Sequence, residues 1–292
     1  MRWRLVVMNY EKINRLSVRE FSAQRPLVGA FLLVLAQAGV AECPAQWTVE
    51  AGARLVQSDW REFSSQGAEL LHESGLLRGS SLGAEMQCSG WRLALRAVGA
   101  DGNRDYMGQT QAGVPLATLS ELRHSDFALE VGRALWESVE LMGSLRSVEV
   151  QRNILSTASA NGYPERYRWS VAALGVLGRW PITDYDTLHA AVTWGAGRNQ
   201  SMTVWLPNRD AATLSLGEIT ETAVSLAWRH RLTPQWALVT QWELQKTRIG
   251  QGDAGAIFRN GVPVGVAYQP QSEMTQQHIG LTVQYSIGGR KP

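Results

Sequence analysis

His124 and Asp126 stand two residues apart in "HSD", and Asp101 and Asp105 flank the polar run Gly102-Asn103-Arg104. In an extended strand, residues i and i+2 share a face, so His124 and Asp126 can orient one another. A base of tuned pKa with an orienting partner is what activation of a water molecule requires, and Asp59 and His72 are further candidates of the same type. The competing reading makes all six solvated polar groups at one end of a sheet. Asp184 and Asp186 in "TDYD" follow Pro181 and Thr183, which is ordinary turn chemistry. Cys43 and Cys88 could form a disulfide or remain two thiols. There is no Walker loop, His-Glu-x-x-His, Cys-x-x-Cys or dinucleotide glycine fingerprint, so no cofactor and no metal site is expected.

The elements that must position these groups alternate with period two. In "TETAVSLAWRHR", Thr222, Val224, Leu226 and Trp228 share one face; after Thr233-Pro234, "QWALVTQWELQ" sets Trp236, Leu238, Thr240, Trp242 and Leu244 on one face. This reads as a tight hairpin of amphipathic strands. The unit recurs around Cys88-Ser89-Gly90, Trp136-Glu137 and "PITDYD". Four short turns alternate with longer polar segments near residues 60–78, 103–118, 152–164, 197–216 and 248–273. With "WTVEAGARL" at the start and "HIGLTVQYSI" at the end, the pattern predicts ten strands.

The chain has 292 residues with a formal net charge of +2, which gives no reason to expect a nucleic-acid partner. Arginines outnumber lysines heavily, Lys12, Lys246 and Lys291 being the only lysines. That imbalance suits guanidinium groups held in fixed ion pairs. Basic residues in the first 25 positions precede the apolar "PLVGAFLLVLAQAGVA" (26–41), a signal-peptide pattern. Residues 1–41 are therefore expected to be removed, after Ala41 or alternatively Ala45, leaving one domain at 42–292.

Even strand number, short turns at one end and long connections at the other describe an all-β, antiparallel, up-and-down transmembrane barrel. The faces expected to meet lipid include Trp47, Val49 and Leu55; Leu93 and Leu95; Phe127, Leu129 and Val131; Trp169, Val171, Ala173 and Leu177; and Ile279, Leu281 and Val283. Trp47, Trp91, Trp136, Trp180 and Trp236 would form an aromatic girdle at the short-turn end. The opposite face carries Glu50, Arg54, Glu85, Arg92, Arg96, Glu130, Glu140, Arg146, Arg168, Glu221, Arg229 and Glu243, which would pair across the lumen. The alternative is a soluble barrel or sandwich with its apolar face inward.

The signal peptide, the alternating strands, turns such as "RLTPQW" and the closing "HIGLTVQYSI" resemble a proteobacterial outer-membrane β-barrel, and among enzymes a ten-stranded barrel is similar to the omptin family. The chain departs from the usual terminal aromatic by running on as "GGRKP". The resemblance implies a place in the outer membrane of a Gram-negative bacterium, with lipid and the barrel assembly machinery as partners. An omptin-like enzyme would be an aspartyl-type endopeptidase at the outer rim, for which Asp101, Asp105, His124 and Asp126 are the candidates. Ten strands leave little space once filled by side chains. The expected role is therefore non-enzymatic: a plugged barrel with a structural or surface-binding function, through 103–118 and 197–216. A narrow solute pore and the outer-rim protease are the alternatives.

Overall fold

The computed structural model describes residues 45–109 and 113–288. The expected signal peptide, Cys43 and the terminal "RKP" lie outside them. Thirteen strands follow in order: β1 (Gln46–Phe63), β2 (Glu69–Cys88), β3 (Trp91–Gln109), β4 (Pro115–Trp136), β5 (Val139–Ile154), β6 (Pro164–Pro181), β7 (Asp186–Val204), β8 (Ala212–Ser215), β9 (Ile219–Arg231), β10 (Trp236–Ile249), β11 (Gly255–Arg259), β12 (Val262–Ala267) and β13 (Gln271–Ile287). Ten of them close a barrel, because every wall strand pairs antiparallel with its neighbour, β7 pairs directly with β9, and β1 pairs with β13 from Trp47↔Ile287 to Phe63↔Gln271. Closure leaves no edge strand in the wall. β8 extends the sheet beside β7, and β11 with β12 forms a separate hairpin.

Local chemistry sets the four short turns. Ser89 and Gly90 both take positive φ, 47° and 76°, the type I′ geometry whose twist matches the flanking strands. In the other two turns that carry a threonine, one hydroxyl does the work: Thr183 Oγ1 accepts from the Tyr185 and Asp186 amides, and Thr233 Oγ1 accepts from those of Gln235 and Trp236. The segment "RLTPQW" therefore turns because its threonine caps the bend while its two flanking strands continue the wall.

The strands are far longer than the pattern suggests. β1 has 18 residues, about 60 Å of chain at ~3.3 Å per residue, where roughly 10 residues cross a bilayer. Consequently most of 60–78 and 103–118 is strand and not loop: the first connection shrinks to 64–68, and β3 and β4 reach Gln109 and Pro115. The segment 197–216 contains the end of β7 and all of β8, and 248–273 contains the β11–β12 hairpin.

Half-way along the strands the outer face of the wall changes from apolar to polar, and apolar side chains appear on the inner face. Nearer the short turns, outward residues are apolar and exposed, as in Leu55, Leu82, Leu145, Leu174, Val192, Leu226 and Leu281. Trp47, Trp91, Trp136, Trp180 and Trp236 ring that end and are exposed. Beyond this belt the same outward face turns polar, as β1 passes from Leu55 to Gln57, Asp59 and Arg61. The inward face there gains apolar side chains, with Val56, Trp60, Leu77, Val150, Tyr167, Trp169, Val171 and Ile219 in one buried cluster beside buried charges. This change corrects the reading of β6. Trp169, Val171 and Ala173 are buried inside, Leu177 also lines the lumen, and Ala172, Leu174 and Val176 hold the outer face. Trp169 and Val171 stand above the belt, where an apolar side chain is buried by pointing inward.

Candidate functional site: the charged lumen

Two layers fill the barrel, and strand parity builds both. Nearer the short turns, the inward residues of β1 through β5 carry alternating charges. Arg92 on β3 is nearly inaccessible; its Nε donates to Glu140 Oε1 at 2.7 Å and its Nη1 to Glu130 Oε2 at 2.8 Å, with Glu85 at 3.5 Å. Arg179 from β6 reaches the other oxygen of Glu140 at 2.9 Å. Arg96 lies 3.6 Å from Glu50 and 3.7 Å from Glu130. Arg146 binds both Asp126 and Glu221, and Gln245 donates to Glu221 at 2.8 Å. Charges taken out of water are stable only when compensated in this way.

Opposite this lattice, β6, β7 and β9 present small side chains, among them Ala173, Ala191, Thr193, Ala223 and Ser225. The mismatch of large and small sides leaves a polar cavity of about 480 Å³ that reaches residues of the short-turn end such as Gln46, Gln87 and Thr187.

The second layer lies toward the long connections, and its side chains are buried. Glu62, Glu73, Arg104, Arg152 and Glu165 are all buried. Arg152 joins Glu62 at 2.9 Å, Glu73 at 3.2 Å and Glu165 at 2.5 Å. Arg104 meets Glu73 at 2.5 Å, and the Ser120 hydroxyl donates to the same carboxylate at 2.9 Å. Trp60 and Tyr167 pack at 5.2 Å between ring centroids, with the Arg152 guanidinium 5.4 Å from the Trp60 ring. The indole of Trp60 donates to Glu62 at 3.0 Å, and the Tyr167 hydroxyl donates to Glu165 at 3.0 Å.

Of the twelve charged residues expected in the lumen, Arg168 is the exception. It faces outward and pairs with Glu149 at 2.7 Å, because it alternates with the inward Tyr167 and Trp169. The other eleven line the cavity or, for Glu140, bind Arg92 beside it. The four hydrolase candidates separate. Asp101 and Asp105 point out of the wall among exposed residues, whereas His124 and Asp126 point into the lumen. His124 is buried and shares a 3.4 Å contact with Gln276, while Asp126 is held by Arg146. The four therefore form no single site. His72 and Asp59 do meet, at 2.6 Å, on the outer face. At the short-turn rim Asp186 accepts from Thr183 at 2.7 Å and contacts His230 at 2.8 Å; these hydrogen bonds hold its carboxyl below the usual aspartate range.

The inner-layer residues Glu62, Glu73, Arg104 and Arg152 were hidden from the pattern because they fall in stretches read as connections. Parity would have found them: Glu62 continues the inward series of Glu50 and Arg54, Arg104 that of Arg92 and Arg96, and Arg152 that of Arg146.

No protein-family model and no curated protein matches the chain. Among solved structures it is similar to the outer membrane protease OmpT from Escherichia coli, with a TM-score of 0.53 at 11% identity over 84% of this chain and 97% of that one. It also matches the translocator domain of the autotransporter NalP from Neisseria meningitidis, with a TM-score of 0.42 at 11% identity over 91% of this chain and 97% of that one. A third match is Ail, the attachment invasion locus protein of Yersinia pestis, at TM-score 0.35 and 10% identity over 82% and 99%. At such identities the likeness to OmpT is one of fold alone, that of an outer-membrane β-barrel.

Proposed function

We propose that this protein is a sealed outer-membrane barrel of a Gram-negative envelope, whose strands carry a polar wall beyond the membrane as a surface for structural support or partner binding. The observation that carries this reading is the layer of buried side chains and ion pairs around Trp60, Tyr167 and Arg152 at the end of the long connections. A path for solute would have to break that packing and separate its buried charges. The exposed apolar belt with tryptophans at one margin supports insertion by strands, which would be assisted by the barrel assembly machinery. The outward polar residues of the β3–β4 hairpin within 103–118, together with 197–216, are the surface proposed for a partner. The pairing of Cys43 with Cys88 belongs to the same proposal, since Cys88 ends β2 at the short-turn rim and an exported chain meets an oxidising compartment.

Planar-bilayer recording on the purified barrel tests the seal. No steady conductance is expected, and sustained single-channel currents would overturn it. Fractionation with a heat-modifiable gel shift tests the setting: the folded form should run with outer membranes, and a detergent-free soluble protein would contradict the proposal.

A further inference from the structure

Above the polar cavity sit polar groups without hydrogen-bond partners among the described residues. His278 is 8% exposed and neither ring nitrogen has a hydrogen-bond partner; the same holds for Arg54 Nε, Ser58 Oγ and Gln276 Oε1. Strand register explains why they meet, since Val56↔His278 and Ser58↔Gln276 are paired positions on β1 and β13. Arg54 and His278 both line the cavity. Buried polar groups normally find partners, and a site of this size, within the range of roughly 300–1,000 Å³ typical of small-molecule pockets, supplies room for one.

The balance of donors and acceptors gives the chemistry. Arg54 has no acid within ion-pair distance among the described residues, and Arg229 donates only to Gln284 Oε1 at 3.1 Å. Of the nearby acids, Glu50 accepts from Gln284 at 2.9 Å, Asp126 and Glu221 are bound by Arg146, and Glu243, which accepts from Gln241 at 3.2 Å, acts on Arg54 and His278 through space. Arg54 Nε and the N–H of the His278 ring are thus donors without an acceptor among the described residues, which an occupant bearing acceptors would satisfy. The small side chains of β7 and β9 leave space beside them, and the cavity lined by Arg54 and His278 extends to Gln46, Gln87 and Thr187 at the short-turn end. We propose that the lower lumen binds a small molecule through a compact oxyanion, a carboxylate or a phosphate, held by Arg54 and His278. This site is independent of the seal above it and goes beyond the surface role.

The test uses the folded barrel in detergent, labelled at histidine, with the His278 ring signals assigned by their loss in His278→Gln. Sodium succinate and sodium phosphate are titrated separately against sodium chloride at matched ionic strength. A saturable shift of the His278 ring with either anion is expected, and which anion produces it identifies the oxyanion source. Arg54→Gln should weaken that binding by about tenfold or more, because a charge-assisted bond is lost. Ala223→Leu, which fills the cavity from the opposite wall, should abolish it, with the heat-modifiable gel shift reporting that each variant is folded. The absence of a saturable shift with both anions, as expected if water alone satisfies these groups, would overturn the proposal. So would unchanged affinity in folded Arg54→Gln.

Discussion

Arg104 and Glu73 lie 2.5 Å apart in a part of the barrel where neither side chain has exposed surface. Each comes from the middle of a long polar stretch, and neither is tolerable there alone. Their positions are unequal, however. Glu73 is also bound by Arg152 at 3.2 Å and by Ser120 at 2.9 Å, whereas Arg104 has Glu73 as its one ion-pair partner among the described residues.

The first prediction uses that asymmetry. Glu73→Leu strands a buried guanidinium and should destabilise the barrel by about 3–5 kcal/mol. Arg104→Met leaves Glu73 still compensated and should cost clearly less, and the double variant should recover most of the loss of Glu73→Leu. Denaturant unfolding in detergent micelles, followed by intrinsic fluorescence, measures all three. Equal costs for the two single variants would contradict the partner assignment.

The second prediction concerns the change of polarity on the outer face, where two residues of β6 separate its halves. Leu174 lies in the apolar belt and is 67% exposed, whereas Arg168, six residues away, sits above the belt paired to Glu149. Leu174→Arg should cost about 2–4 kcal/mol in folding into lipid vesicles. Arg168→Leu removes a surface ion pair and should change stability by less than about 1 kcal/mol. A large loss at both positions would mean that the hydrocarbon reaches Arg168.

That change also marks where the sequence stops being legible. The strand number, the short turns and the charged lumen follow from period-two alternation, because near the short turns one face meets apolar surroundings and the other does not. Where a strand crosses out of the belt the alternation persists, but the outward face turns polar and apolar side chains such as Trp60 and Trp169 point inward among buried charges. Trp169 and Leu174 are both apolar residues on β6, and alternation puts them on opposite faces, but it does not say which of those faces points inward. The hydrolase candidates were misgrouped for a related reason. Asp101 and His124 occupy neighbouring strands near the same height, with Asp101 paired to Arg123 in register, but their parity puts them on opposite sides of the wall. The cavity was not legible at all, since it depends on alanines of β7 and β9 facing arginines brought from the other side of the barrel.

A third prediction follows from the seal. Trp60 and Tyr167 are both fully buried and in ring contact. Trp60→Ala should destabilise by about 3–5 kcal/mol through the cavity it leaves. Where Trp60→Ala is combined with Tyr167→Ala and the barrel still folds, a conductance missing from the parent should appear in planar bilayers. A non-conducting, folded double variant would place the barrier elsewhere in the lumen.

The fourth prediction concerns the cysteines, whose spacing would close a long loop. Formation of the Cys43–Cys88 bond would restrict the unfolded chain by roughly 4 kcal/mol in the loop-entropy account. The purified protein should resist alkylation without reductant and take up two alkyl groups after reduction and unfolding. Cys88→Ser should lower the unfolding midpoint while leaving the gel shift intact. Two freely alkylated thiols in the native protein would dismiss the bond.

The last prediction tests whether the charged lattice is fitted to the backbone. A Cβ added at Gly132 on β4 would coincide with Glu140 Oε1, the oxygen that accepts from Arg92 at 2.7 Å. The opposite oxygen of the same carboxylate holds Arg179 at 2.9 Å, so the group cannot swing aside without losing one partner or both. Replacing glycine by alanine usually stabilises a strand by about 0.4–1 kcal/mol through the unfolded chain. Here the displaced carboxylate should reverse that sign, and Gly132→Ala should destabilise by about 1–3 kcal/mol. In a Glu140→Ala background there is no carboxylate left to displace, and the same substitution should become neutral or favourable. A double-mutant cycle from denaturant unfolding gives the coupling directly, and a coupling near zero would mean that Glu140 has another place to go and that the lumen tolerates disorder among its charges.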